Sequence, residues 1–381
     1  MRILYIIDKM ENYAGIERIL SCKMNYISEQ TSHSIFLTTY EQQSQNLPFQ
    51  LNDNISYQPI IVPMPLRNKM TISNWLRAYI LARSQFKRQF RNLLNKTKPE
   101  IVICTVYSFQ VLDIIINACH KQGIKTIMES HTKGETVMMA HKFEYNYYLH
   151  KLFSLWDHRI MRSLQYCSCV VTLTKQDVPF WHRYAKRTEV IPNMLTISPK
   201  KVLDYGAKRV ISAGRYMSEK GFDMLLEAWH LLPEEFCDWH LYIFGNGERN
   251  LYQNIVDKYK MEKTVHLMPA TYDIAEEFSK SSLYVMSSRY EGFGLVLAEA
   301  MSCGLPCVSF DCPYGPREII KDGEDGLLVN YKDINDLTHK MALLMSDTEL
   351  RCEMGKQAIR NISRFEPRAI MNLWVNLLQN I

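Results

Sequence analysis

Short apolar runs alternate with helix-length amphipathic stretches along almost the whole chain, and that alternation leaves few folds open. A βαβ unit joins parallel strands through a helix, so a chain that repeats it builds parallel sheets covered by helices. Runs at 2–7 (RILYII), 33–39, 101–106, 124–129 and 169–173 form one series, with helices expected at 17–29, 74–96, 109–121 and 143–165. A second series runs through 208–213, 240–245, 264–268, 283–287 and 306–309, with helices at 221–231, 249–260, 273–280, 294–303 and 333–346. The stretch 188–201 has two prolines and little periodicity, which predicts an interdomain linker. Domains of 1–195 and 196–366 follow, and a last helix at 367–381 could pack on either, the first included. A length of 381 residues suits two cores better than one.

The apolar fraction of 47% with 22% charged residues is that of a soluble globular protein. No run approaches the roughly 18 apolar residues of a membrane span, and Asp8 and Lys9 cut short the apolar start. Ten irregularly spaced cysteines are expected to be reduced thiols in a cytosolic protein. Cys303, Cys307 and Cys312 hint at zinc, but without a paired CxxC or nearby histidine they read better as small buried hydrophobes. The net charge of +5 conceals an asymmetry: residues 1–195 hold 24 Lys+Arg against 14 Asp+Glu, and the remainder 21 against 26. The basic half should face something anionic, whether phosphates, nucleic acid or a membrane surface.

Two local patterns carry chemistry. Arg215 ends the strand at 208–213 and Lys220-Gly221 precedes a helix, a pair of cations suited to a diphosphate; a solvated loop with a Lys-Gly turn would read the same. In Glu291-Gly292-Phe293-Gly294 the glycines let backbone amides approach a ligand at a helix N-terminus, where partial positive charge favours an anion. Glu299 follows on that helix among Leu297, Ala298, Ala300 and Met301. Either it belongs to an exposed stripe or, if buried, it needs a partner such as a sugar diol.

EGFGLVLAEAMSCGLPCV (291–308), with its E-x7-E spacing, resembles the signature of the retaining GT-B glycosyltransferases of family 4. Further matches fall in order: AGIER (14–18), His131 in ESHT, IPN (191–193), GRYMSEKG (214–221), FGNGE (244–248) and GPREII…DGLLV (315–329). The resemblance implies an α/β fold of two Rossmann-like, doubly wound parallel-sheet domains facing a central cleft. It assigns Arg215 and Lys220 to the donor diphosphate and Glu299 to the ribose. Glu291 would contact hydroxyls of the transferred sugar, and the backbone of Phe293, Gly294 and Leu295 the phosphates. Gly15 lies in the first loop, and His131 would stand on the opposite wall, near sugar and acceptor; Asn193 is a weaker candidate. The family usually has two glycines where this chain has Ala14-Gly15, so a left-handed first position would strain Ala14.

The implied reaction is retaining transfer from a nucleotide sugar, with uracil as the expected base, to a glycan acceptor. No D-x-D pair ends a strand, so no metal is expected, and the nucleotide sugar is a substrate rather than a cofactor. A hydrolase using Glu291 and Glu299 as acid and nucleophile fits less well. One acid is at a turn, the other two turns along a helix, and the cations go unexplained. An inactive nucleotide-sugar-binding protein, or a transferase acting on a soluble or protein acceptor, stays open.

Residues 67–98 contain nine Lys or Arg and no acid. Trp75, Leu76, Tyr79, Phe86, Phe90, Leu93 and Leu94 share one helical face, flanked by Arg77, Lys87, Arg88 and Arg91. Such a helix suits an anionic membrane surface and a lipid-linked acceptor, and equally a helix covering the sheet. The aromatic stretch 143–161 offers a second such surface. A nucleic-acid partner is not expected, for no recognised binding motif appears. The expected setting is bacterial capsule, lipopolysaccharide or other surface-polysaccharide biosynthesis, on the inner face of the cytoplasmic membrane.

Overall fold

The computed structural model describes residues 1–11, 14–42, 47–65, 70–105, 111–132, 134, 154, 157–199, 201 and 203–381. The chain divides into two compact units, Met1–Pro192 with Met371–Ile381, and Asn193–Ile370.

The first unit is built on seven parallel strands, β1 (Arg2–Ile7), β2 (Ser34–Thr39), β3 (Ser56–Tyr57), β4 (Ile101–Thr105), β5 (Lys125–Ser130), β6 (Cys169–Thr172) and β7 (Thr188–Val190). Their order is β3-β2-β1-β4-β5-β6-β7. Ile3 of β1 is paired with Ile35 on one side and Ile101 on the other, so this strand has no exposed edge. All but the first residue of β1 are buried, as expected of a parallel strand covered on both faces. The helix Ile72–Thr97 lays Trp75, Tyr79, Phe86, Phe90, Leu93 and Leu94 into the core beside Val102 and Cys104 of β4. Its apolar stripe therefore covers the sheet. Residues 188–190, read from sequence as the start of a linker, instead extend the sheet as β7 beside β6. A three-residue edge strand next to a proline is too short to show a period.

The second unit holds six parallel strands, β8 (Arg209–Ala213), β9 (His240–Phe244), β10 (Val265–Met268), β11 (Leu283–Met286), β12 (Cys307–Phe310) and β13 (Leu327–Val329), in the order β10-β9-β8-β11-β12-β13. The order reverses between β8 and β11, which pair directly. In open α/β sheets the crevice beyond the strand ends at such a reversal is where ligands bind. Strand β13 and the helix Thr348–Ile362 were not anticipated from the sequence. Cys303, Cys307 and Cys312 are buried, and burial pushes the Cys303 thiol up to about 11. Of the helix expected at 143–165, residues 157–162 are helical, and most of the aromatic stretch 143–161 lies outside the described residues. Among the described residues no helix is long and apolar enough to cross a membrane.

Candidate active site

The loops leaving β8 and β11 are locked together by small residues and one arginine. Gly214 and Gly245 pack backbone to backbone, where a Cβ on Gly245 would come within 1.9 Å of the Gly214 carbonyl oxygen. Tyr216, buried, donates from its hydroxyl to the Ile243 carbonyl at 2.6 Å and packs edge-on against Phe222. Gly221 has φ +61°, and a Cβ there would meet the Ser287 carbonyl oxygen at 2.1 Å, so only glycine fits. Arg289 forks onto Asp223 at 2.8 and 2.6 Å and donates to the Ser218 carbonyl at 2.6 Å. A bidentate guanidinium of this kind holds geometry as well as charge. It fastens the Ser218–Lys220 turn to the end of β11.

The consequence is a compact polar cluster at the sheet reversal. Lys220 Nζ donates to Glu291 Oε1 at 2.7 Å, and Ser288 Oγ donates to the same oxygen at 2.6 Å. Glu291 Oε2 is left unengaged among the described residues. The side chains of Lys220 and Glu291 are 22% and 11% exposed, so the pair is accessible rather than sealed. Arg215, from the same loop as Lys220, is exposed and forms no ion pair among the described residues.

Gly294, at φ +93° and ψ +46°, caps the helix Leu295–Ser302 in a left-handed conformation. Phe293 is buried edge-on against Phe365 at 5.2 Å. Behind it, Gly315 has φ +109°, and a Cβ there would meet the Phe293 carbonyl oxygen at 2.1 Å. Ala298 N–H is the first to bond back along the helix, to Gly294 O at 3.1 Å. The amides of Leu295, Val296 and Leu297 thus have no acceptor one turn earlier, the usual condition of a helix start. Glycine at 294 and 315 sets this N-terminus; a partial positive charge results next to Glu291.

Glu299 is not on an exposed stripe: it is 1% exposed, on a helix buried from Leu297 to Ser302. Its Oε1 accepts from Thr196 Oγ1 at 2.7 Å. The partner that a buried carboxylate requires is supplied, at least for this oxygen, by the chain 103 positions earlier. Asn193 is also buried.

In the first unit, Gly15 is the first residue of the helix Gly15–Gln30, and Ala14 caps it at φ −119° and ψ 169°. That is ordinary extended backbone, so the strain expected of an alanine there is absent. His131 follows β5 directly, its side chain 3% exposed, with Nε2 at 3.3 Å from Glu129 Oε1. Arg77, Lys87, Arg88 and Arg91 stand exposed on the helix whose apolar stripe is in the core. Lys220 and Glu291 are thus brought into contact, whereas Glu299 has a partner of its own. Sequence reasoning missed Ser288, Arg289, Asp223, Thr196 and Glu129. Ser288 and Glu129 were within reach, being three residues from Glu291 and two from His131. The others act across long separations.

The sequence profile of the glycosyl transferases group 1 family matches residues 194–361. A Haemophilus influenzae protein described as an uncharacterized glycosyltransferase is 32% identical over 240 residues, covering 60% of this chain and 68% of that protein. The amylovoran biosynthesis glycosyltransferase AmsD of Erwinia amylovora is 25% identical over 389 residues, 99% of each chain. Among solved structures, a Staphylococcus aureus TarM variant in complex with fondaparinux, α-GlcNAc-glycerol and UDP superposes with a TM-score of 0.77 at 15% identity, covering 99% of both chains. With two Rossmann-like sheets, a glycine-capped helix at the second sheet's reversal and these relatives, the chain belongs to the glycosyl transferases group 1 family, of GT-B fold.

Proposed function

We propose that this protein is a retaining glycosyltransferase of the E-x7-E type. It moves a hexose or N-acetylhexosamine from a UDP-sugar to a glycan anchored on a lipid diphosphate, in bacterial surface-polysaccharide synthesis. The observation that carries the reading is the Lys220–Glu291–Ser288 cluster beside the Gly294-capped helix. Arg215, Lys220 and the amides from Leu295 onward take the donor diphosphate, and their charge stabilises it as it leaves, without a metal ion. Glu291 Oε2 accepts from a hydroxyl of the transferred sugar, Glu299 holds the ribose, and His131 serves the sugar from the first unit. The acceptor hydroxyl attacks the anomeric carbon on the face the diphosphate leaves, and a leaving phosphate oxygen takes its proton. AmsD acts in amylovoran biosynthesis by name, and the TarM complex contains UDP, both of which favour this donor and setting.

The lipid side of the reading rests on the helix Ile72–Thr97. Its outer face presents Arg77, Lys87, Arg88 and Arg91 around Ile80 and Leu81, which are 58% and 70% exposed. Aliphatic side chains ringed by cations suit a peripheral position on an anionic leaflet. The test is a panel of nucleotide sugars offered with lipid-diphosphate-linked glycans on anionic or zwitterionic vesicles. Release of UDP, a product whose anomeric configuration by proton NMR equals the donor's, and sedimentation with anionic vesicles alone are expected. An inverted anomer overturns the retaining mechanism. Equal sedimentation with both vesicles overturns the membrane assignment, and donor binding without turnover makes the chain a binding protein.

A further inference from the structure

Two buried charges, Lys23 and Glu129, are packed behind His131. Glu129 and His131 are two apart at the end of β5, so both side chains leave the same face. Glu129 Oε1 pairs with the Lys23 ammonium and lies 3.3 Å from His131 Nε2, while Oε2 accepts from Thr105 Oγ1 at 2.9 Å. Lys23, Glu129 and His131 have side chains only 2%, 3% and 3% exposed. Burial alone would raise the Glu129 carboxyl, but the Lys23 ammonium beside it outweighs that and holds the group well below the usual carboxylate range. Lys23 Nζ in turn sits 4.0 Å from the Trp374 ring centroid, so the last helix closes over the pair.

Gly134, three residues beyond His131, is pinned as well. Gly134 N–H donates to Asp177 Oδ1 at 3.0 Å, and Asp177 Oδ2 accepts from Trp181 Nε1 at 2.6 Å. A Cβ on Gly134 would sit 2.1 Å from the Phe180 ring, so the chain passes there only as glycine. Both ring nitrogens of His131 are buried, and neither makes a hydrogen bond among the described residues; Nε2 is the one that faces Glu129. With Nε2 turned to Glu129, Nδ1 is the nitrogen left for a further partner.

We infer that Glu129 is a positioning residue: it turns His131 so that Nε2 faces the carboxylate and Nδ1 is presented to a hydroxyl of the substrate. This rests on the transferase reading for the identity of that hydroxyl, but not for the orientation of the ring. The test compares the parent, Glu129→Gln and the double variant Lys23→Met/Glu129→Gln, which removes the ammonium that the single change leaves uncompensated. Ring 15N NMR, with His131 assigned by its loss in His131→Gln, should show one neutral tautomer with the proton on Nε2 in the parent. Both variants should show a mixture. Their kcat should fall by about 10- to 100-fold, the range typical when a carboxylate orienting a histidine is lost, with the donor KM changed less than about twofold. An unchanged tautomer in the folded double variant overturns the proposal, whatever the activity. If the tautomer responds but His131→Gln transfers sugar at the parent rate, the orientation stands and the role given to His131 in transfer fails.

Discussion

Each unit holds a lysine against a glutamate near the carboxyl edge of its parallel sheet, yet the two pairs are built for different work. Lys23 and Glu129 are 2% and 3% exposed, roofed by Trp374 and held further by Thr105. Lys220 and Glu291 are 22% and 11% exposed, on glycine-rich loops beside a helix N-terminus. In the sealed pair each charge depends on the other, because no water can replace a lost partner. In the open pair water or a ligand can take over either partner, so the same contact can be given up to the diphosphate and sugar hydroxyl proposed for this site. Burial, not residue type, separates the sealed pair from the accessible one.

The sharpest way to break that contrast is to remove one lysine at a time. Lys23→Met should destabilise the protein by roughly 3–5 kcal/mol, the usual consequence of stranding a buried charge, and Lys23→Met/Glu129→Leu should recover much of it. Urea unfolding followed by tryptophan fluorescence measures both. A loss below about 1 kcal/mol for the single change would mean that the pair is not sealed. Glu291→Gln should cut transfer by about 10²–10³-fold, equivalent to roughly 2.7–4 kcal/mol of transition-state stabilisation, while moving the urea midpoint little. A large stability loss with normal turnover would assign the open pair to structure instead.

Another buried acid isolates the part played by the cation. Asp8, at the end of β1, is 7% exposed, and the lysine beside it, Lys9, is itself exposed and paired with Glu11 at 3.3 Å. Burial first, then the nearby Glu41 charge, push the Asp8 carboxyl up to about 7. The folded state therefore retains a proton that the unfolded chain releases near pH 4, so this group costs stability as pH rises from about 4 to 7. Glu129 has the opposite sign: its contribution is present above the ordinary carboxylate range and is lost as pH falls below it. Asp8→Asn should flatten the decline in melting temperature between pH 5 and 7, an effect of no more than about 2–3 kcal/mol. An unaltered pH profile would show that Asp8 titrates normally.

Much of the fold was legible because a buried parallel strand is written as a continuous apolar run and its covering helix as a period of 3.6. RILYII and the stripe from Trp75 to Leu94 behave in that way. Thr188–Val190 and Leu327–Val329 are too short to show a period, and pairing with a neighbouring strand makes them strands. At the site, Lys220, Glu291 and Gly294 were legible as local patterns. Arg289 was not, since an arginine after a strand has no distinctive spacing and its partner Asp223 lies 66 positions earlier. Glu299 shows the limit most clearly: its helix is apolar nearly all round, but only packing put the carboxylate inside and Thr196 against it.

Sequence alone therefore determined two parallel α/β units, the glycine turns that open their helices, and the residue types at the end of each strand. Those properties depend on neighbours a few positions away, through backbone conformation and side-chain period. The tertiary structure decided which charges meet: Lys23 with Glu129 across 106 positions, Lys220 with Glu291 across 71. Such partners are chosen by the order of strands in a sheet, and that order arises from packing the whole unit rather than from any local stretch of chain.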